Sequence, residues 1–411
     1  MTEPYAMVGE VLTTTGPTRA AVVIQDGKID ALLRDPRSGD LPEERREFVG
    51  LLCPGFIDLQ INGAFGADIG PDPDAIKTLV TRLPTTGVTS FLPTLISSPS
   101  ERYEEFFDAL EEGAVENGAR VLGAHLEGPF LAPDRKGAHD PAYLRPIDLG
   151  FLRELLRSGK VRIMTLAPEL PNSLEAIELL LEEGAVASAG HTDATCEEVT
   201  RAVDAGLSLG THLYNAMRPL AHREPGTVGA LLTDDRVKVG IIADGVHVHE
   251  AALRLAHRAK GSEGLILVTD AMQAAGMPPG DYELGRRKVH LEDGAVRLPD
   301  GTLAGSALTM DEAVRNAIRF LGISPAKAVR MAAETPAAAL NLDGKGQIAV
   351  GCDADFVLLD AEGTVLETIV AGETLYEWEN EHPRSSYGGD AALGKQGSWP
   401  ACDDPPIETR R

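Results

Sequence analysis

Between residues 51 and 269 one pattern repeats: a short apolar run, then a stretch with helical spacing. Apolar runs lie around 51–58, 88–92, 121–126, 161–167, 185–190, 208–213, 236–243 and 264–269. Helix-like segments such as 100–118, 173–183 and 195–206 separate them. Eight strands alternating with crossover helices predict an α/β chain built as a TIM-like (β/α)8 barrel. Such a barrel uses about 250 residues. The chain has 411, which leaves room for a second, smaller domain.

The two ends indicate where that domain comes from. Residues 19–33, RAAVVIQDGKIDALL, place two β-rich runs around Asp26-Gly27, a hairpin signal. A second β-rich region covers 353–376. Pairing the two regions makes one small β-sandwich domain with the barrel inserted between its halves. The predicted organisation is therefore 1–50 and 344–378 for the small domain, 51–343 for the barrel, and 379–411 for a tail. The tail is rich in Gly, Ser, Pro and charge, and that composition predicts poor order. After the eighth strand come a β-rich excursion at 282–306 and two helices near 309–321 and 325–340.

The formal net charge of −25 argues against nucleic acid and anionic membranes as partners. Any site for an anion must be built from local cations and backbone N–H groups. Cys53, Cys196, Cys352 and Cys402 are far apart, with no C-x-x-C pair, so neither a disulfide framework nor a zinc ribbon is expected. No apolar run approaches the ~18 residues of a membrane span. The first residues, MTEPYAMVGE, have no basic or apolar leader, which makes a cytoplasmic location the expectation.

Functional residues of such a barrel sit at the C-terminal ends of its strands. There the sequence places Glu127 (HLEGPF), His191 (AGHTD), His212 (THLYNAM), His247 (ADGVHVH) and Asp270 (LVTDAM), each after an apolar run. Two imidazoles and one carboxylate form a ligand set for a divalent ion such as zinc, which lowers the pKa of a bound water to about 7. A nearby carboxylate outside the ligand set, such as Asp270, can take the proton and return it to a leaving group. Taken singly, each residue has a plainer reading: a hydrogen-bonded structural histidine, a buried ion-pair partner for Glu127, a helix N-cap for Asp270. Their joint placement at one mouth favours chemistry. His125, two residues before Glu127, falls on the same strand face but carries less weight as a ligand. His222, His257, His290 and His382 read as solvated or structural, and Cys196 as packing.

Further motifs are PGFIDLQINGAFG (54–66), PTLISS (93–98), HLEGPFL (125–131), KGAH (136–139), GHTDAT (190–195), DGVHVH (244–249) and GTLAGSALTM (301–310). Taken with THLYNAM and LVTDAM, they make the chain resemble the N-acetylglucosamine-6-phosphate deacetylase family of the amidohydrolase superfamily, up to about residue 378. The resemblance implies one divalent metal per subunit, zinc foremost, held by Glu127, His191 and His212, with Asp270 as proton carrier. It implies His139 beside the acetamide carbonyl and His247 against the sugar. Asn215 and Ala216 would bind near the phosphate, and Ala138 with Leu303, Ala304 and Gly305 would line the pocket. Arg223 would pair with the phosphate in the neighbouring subunit's site, which implies a homodimer. The implied substrate is a small amino-sugar phosphate, cleaved to the amine and acetate.

One departure stands out. Many superfamily members carry H-x-H after strand one, which helps to hold a second metal; here Gln60 and Asn62 stand in those positions. Neutral amides are poor ligands for a transition metal. Two rival readings remain at this stage: hydrolysis of a cyclic amide, and a non-catalytic scaffold on the same fold.

Overall fold

The computed structural model describes residues 3–378; the expected tail at 379–411, and with it His382 and Cys402, lies outside them. The small domain is one seven-stranded sheet. Its N-terminal strands are β1 (Tyr5–Thr13), β2 (Gly16–Gln25), β3 (Lys28–Arg34) and β4 (Glu44–Pro54). The barrel strands are β5 (Phe56–Ile61), β6 (Val88–Ile96), β7 (Ala124–Glu127), β8 (Val161–Leu166), β9 (Val186–Ala189), β10 (Leu209–Gly210), β11 (Lys238–Ile241) and β12 (Leu265–Leu267). A three-stranded excursion follows, β13 (Gly280–Leu284), β14 (Arg287–Glu292) and β15 (Ala295–Arg297). The small sheet is completed by β16 (Phe356–Leu359), β17 (Val365–Val370) and β18 (Glu373–Glu377), in the order β18-β17-β16-β4-β1-β2-β3. All its pairings are antiparallel except β1 with β4.

The β2–β3 hairpin turns on Asp26 (φ 49°) and Gly27 (φ 74°), the two positive-φ positions that a type I′ turn needs. Side chains alternate faces along a strand, and here that alternation divides the sheet between two cores. Leu52, Phe356 and Leu358 join Met7, Val22 and Ile369 in the small domain's own cluster. Leu51, Cys53, Val357 and Leu359 point the other way, into the core of the barrel.

The strand expected around 51–58 is in fact two. Pro54 ends β4, and Gly55 follows without a side chain; a Cβ there would lie 2.2 Å from Thr89 Cγ2. Hydrogen bonding changes hands at this step. Gly55 N–H donates to Asp355 O (2.9 Å), beside the small sheet, and Phe56 N–H donates to Gly87 O (3.0 Å), in the barrel.

Strands β5 to β12 run parallel in sequence order. Between them lie helices α1 (Pro73–Arg82), α2 (Glu101–Gly113), α3 (Leu149–Leu156), α4 (Ser173–Glu182), α5 (Cys196–Asp204), α6 (Gly226–Thr233) and α7 (Glu250–Gly264). The ring is completed just above β5 and β12, where Asp270 N–H donates to Gln60 O (2.9 Å) and Asn62 N–H to Ala271 O (2.7 Å). Helix α8 (Met310–Leu321) comes next. The helix expected at 325–340 is broken into α9 (Pro325–Ala332) and α10 (Glu334–Ala339) at Ala333, whose φ/ψ of −131°/−68° is not helical. Pro336 explains the break, since it lacks an N–H and its ring would clash with the carbonyl four residues back. Cys53, Cys196 and Cys352 are free thiols. Among the described residues no helix is long and apolar enough to cross a membrane.

The hand-off at Gly55 makes a test. Gly55→Val should destabilise the protein by about 1–3 kcal/mol through overpacking, and Thr89→Ala in the same chain should recover part of the loss. Urea unfolding measures both; equal stability of Gly55→Val and wild type would contradict the close packing described.

Candidate metal-dependent active site

The barrel strands deliver their functional side chains to one end. Glu127 is the last residue of β7, while His191 and His212 stand two residues past β9 and β10, and Asp270 three past β12. His191 (φ 49°), His212 (φ 32°) and Asp270 (φ 48°) are all left-handed. That conformation costs a non-glycine residue on the order of 1–3 kcal/mol, and here it accompanies the turn of each side chain inward from its strand. Nothing in a residue-type pattern announces it.

Two imidazoles meet on one carboxylate oxygen. Glu127 Oε1 lies 2.9 Å from His212 Nε2 and 3.1 Å from His191 Nε2, and the two Nε2 atoms are 3.1 Å apart. His139 Nε2 is 3.7 Å from Glu127 Oε2. Buried Glu/His/His groups of this kind can hold a metal ion; Glu127, His139 and His191 offer ligand atoms within 4.8 Å of one another, and His212 lies closer still to Glu127.

Hydrogen bonds set the tautomers. Arg135 O accepts from His191 Nδ1 at 2.8 Å, so the proton is on Nδ1 and the Nε2 lone pair is free. His139 is the reverse. Its Nδ1 accepts the Ser97 backbone N–H at 3.2 Å, so a neutral His139 carries its proton on Nε2 and is a donor there. Burial above all, together with the neighbouring His191, lowers the His139 pKa to about 4, so it is neutral near pH 7.

Burial alone would raise the Glu127 carboxyl, but hydrogen bonds to His139, His191 and His212 hold it well below the ordinary range. His212 shifts upward although burial opposes it, because of the hydrogen bond and charge of Glu127. Asp270 is pushed up to about 6 by burial and then by the charge of Glu127, with His212, His247 and Asn62 pulling the other way. The two amides that replace H-x-H serve these carboxylates. Gln60 Nε2 donates to Glu127 Oε1 and to Asp270 Oδ1, both at 3.1 Å, and Asn62 Nδ2 donates to Asp270 Oδ1 at 2.8 Å.

The site opens into a cavity of about 480 Å³ lined by Glu127, His139, His191, His212, His247 and Asp270, with Ala138, Asn215, Ala216, Leu303 and Gly305 on its walls. Ala304, expected beside them, does not line it. Ala304 is fully buried in the apolar cluster under the β13–β15 sheet, and its N–H donates to Val296 O, so its side chain packs into that cluster. Arg223 is exposed on the loop before α6 and is not among the cavity walls of its own chain.

Other residues had been given no role by the sequence patterns. Asp244 accepts His247 Nδ1 at 2.6 Å and the N–H groups of Val246 and His247 at 2.8 Å, which anchors the imidazole through Nδ1 on the cavity wall and leaves Nε2 outside that contact. Its place three residues before His247 was the available signal. Arg135 and Arg297 bring cations to the walls. His125 is structural: Nδ1 meets Leu59 O at 3.0 Å and Nε2 meets Thr165 Oγ1 at 2.8 Å. His290 pairs with Asp281 and His257 with Ser262, both away from the site.

Comparison with known proteins places these features in context. The amidohydrolase family profile matches residues 51–375. An N-acetylglucosamine-6-phosphate deacetylase from Lysinibacillus sphaericus is 41% identical over 340 residues, covering 80% of this chain and 86% of its own. An N-acetylgalactosamine-6-phosphate deacetylase from Escherichia coli O157:H7 is 39% identical over 356 residues, covering 85% and 93%. A solved structure of a mutant N-acetyl-D-glucosamine-6-phosphate deacetylase from Mycobacterium smegmatis, in complex with N-acetyl-D-glucosamine 6-phosphate, superposes with a TM-score of 0.83 at 35% identity, covering 90% of this chain and 98% of that one.

The buried histidines make stability depend on pH. Burial lowers the His125 pKa to about 4, below the ~6.5 of an unfolded chain. The unfolded state therefore binds the proton first. The stability is fully present above about pH 6.5 and is lost as pH falls toward 4. Replacing His125 by Gln should remove a pH 7 to pH 5 loss of about 2 kcal/mol. Urea unfolding of both proteins at the two pH values measures it; identical pH slopes would mean His125 titrates normally.

Proposed function

The chain belongs to the amidohydrolase family, and we propose that it hydrolyses the acetamide of N-acetyl-D-glucosamine 6-phosphate to D-glucosamine 6-phosphate and acetate. The observation that supports this most directly is the convergence of Glu127, His191 and His212 on one point in the cavity beside Asp270. Relatives with this activity in their names align over most of the chain.

Glu127, His191 and His212 would hold one divalent ion, zinc foremost. Their separations of 2.9–3.1 Å are close to the edge of about 3.3 Å expected between ligands in a tetrahedral zinc site with 2.0–2.1 Å bonds. His139 fits this role less well, because its Nε2 carries the proton. When bound, such an ion acts as a Lewis acid and lowers the pKa of a coordinated water toward about 7. The amides at positions 60 and 62 donate to carboxylates, which favours a single ion.

The protein's own groups then divide the work. Asp270 accepts a proton from the attacking water. Its Oδ1 is occupied by Gln60 and Asn62, so Oδ2 is the atom free to take it. His139 donates Nε2–H to the acetamide oxygen as negative charge grows there, a preorganised donor in a dry site. Asp270 then delivers the proton to the amine nitrogen as the C–N bond breaks. His247, braced by Asp244, presents Nε2 to a sugar hydroxyl. Asn215, Ala216, Ala138, Leu303 and Gly305 shape the pocket. Arg223 completes the phosphate site of a second copy in a homodimer; its exposure, and its place outside the walls of its own cavity, support this. A guanidinium suits phosphate because it can donate two parallel hydrogen bonds.

Acetate release from N-acetylglucosamine 6-phosphate, with elemental analysis of the same preparation, tests the reaction. Wild type should turn over with close to one metal per chain, and Asp270→Asn should keep the metal and lose on the order of 10²–10⁴ in rate. Turnover of Asp270→Asn near that of wild type would show that another group moves the proton.

Mixing tests the shared site. Arg223→Ala alone should weaken the phosphorylated substrate far more than unphosphorylated N-acetylglucosamine. Mixed with Asp270→Asn chains it should regain part of the activity, because one site per mixed dimer then has both groups. No recovery in demonstrated heterodimers would place Arg223 outside the partner's site.

A further inference from the structure

Four loops at the barrel mouth are tied together at one residue that the proposed reaction does not use. Asp193 Oδ1 accepts Arg135 Nε at 2.9 Å and Nη2 at 2.6 Å, and its Oδ2 accepts Arg218 Nη2 at 2.7 Å. Its backbone N–H donates to Glu169 Oε1 at 2.6 Å, and the neighbouring Thr192 hydroxyl donates to Glu169 Oε2. Thr192 also pairs by backbone with the next loop, its N–H to Ala216 O and its O to Arg218 N–H, both at 3.0 Å. Asp193 thus joins the loops that follow β7, β8, β9 and β10.

Each arm of this junction ends on a functional group. Arg135 is the residue whose carbonyl accepts the hydrogen bond from His191 Nδ1–H at 2.8 Å, and it lies four residues before His139. Ala132 N–H donates to His191 O at 2.9 Å, so this loop grips His191 at two points. Arg218 closes the loop that carries His212, Asn215 and Ala216. The three charged side chains are about a third exposed. An isolated pair at that exposure contributes little to stability, ~0–1 kcal/mol. What this cluster fixes is where an acceptor carbonyl stands relative to an imidazole, and partners of that kind govern metal affinity more than they govern the fold.

We propose that Asp193 is a positioning residue with two arms: through Arg135 it holds the carbonyl that orients His191 for the metal, and through Arg218 it holds the wall that receives the substrate. The kinetic arm rests on the deacetylase reading; the metal arm does not.

The test compares wild type, Asp193→Asn, Arg135→Gln, the double variant and Arg218→Gln as full-length protein. Zinc affinity is measured by competition with a chromophoric chelator, and kcat and KM by acetate release. Asp193→Asn and Arg135→Gln should each weaken zinc on the order of 10-fold. The double variant should be within about 2-fold of the weaker single, because both remove one contact. Arg218→Gln should raise KM while leaving zinc affinity within about 2-fold of wild type. Wild-type zinc affinity in Asp193→Asn, or losses that multiply in the double variant, would overturn the proposal. If Asp193→Asn does not fold, Arg135→Gln decides alone, since it breaks the same contact from the other side; unchanged zinc affinity there overturns the proposal as well. Failure of wild type to release acetate would overturn the deacetylase reading and leave the zinc result to judge Asp193.

Discussion

A carboxylate removed from water sets the terms for the whole barrel mouth. Glu127 is almost fully buried, and an ionised carboxylate in such a place is tolerated only when paired and hydrogen-bonded. Its Oε1 is met by His191, His212 and Gln60, and its Oε2 faces His139. Four different barrel loops or strands must therefore present a nitrogen within a few ångströms of one group. The left-handed residues after β9 and β10, which carry His191 and His212, follow from that requirement, and the ring closes at Gln60, which serves Glu127 and also joins β5 to Asp270 through both backbone and side chain.

Electrostatics divides the surface from the site. A chain of net charge −25 repels a sugar phosphate at long range, so capture depends on what the cavity supplies at close range. Arg135 and Arg297 stand on its walls, and the carboxylate that pairs with Arg135 also fixes its backbone carbonyl against His191. The same loop thus carries cationic charge, imidazole orientation and the His139 donor. Combining three tasks in the segment 132–139 makes it sensitive to substitution at positions that never touch the reacting bond.

The barrel and its polar rim were legible in the sequence because both depend on residue type and spacing. Apolar runs followed by His, Glu or Asp marked the strand ends, and the Asp26-Gly27 pair marked its hairpin. What the sequence hid depends on direction. The split at Pro54-Gly55 is a change of hydrogen-bonding partner within one apolar run, and periodicity cannot register it. Ala304 sits in a motif whose neighbours face the cavity, yet its own side chain packs the other way. Asp193, Arg135 and Arg218 are ordinary loop charges until the fold brings three segments together, and Asp244 looked like any aspartate before a glycine.

The pairing of β4 with β16 has a consequence for how the protein is made. Leu51 stands opposite Leu359, and Cys53 opposite Val357, so roughly 300 residues of chain must be synthesised before β4 acquires its second neighbour. At ribosomal rates that interval is on the order of half a minute. Throughout it, the apolar end of β4, residues 51–54, has one unpaired edge, the kind of edge to which other chains add. The last segment of the small domain to emerge is therefore the one that shields the first, and truncation anywhere before residue 356 would leave a sticky edge exposed as well as a missing strand.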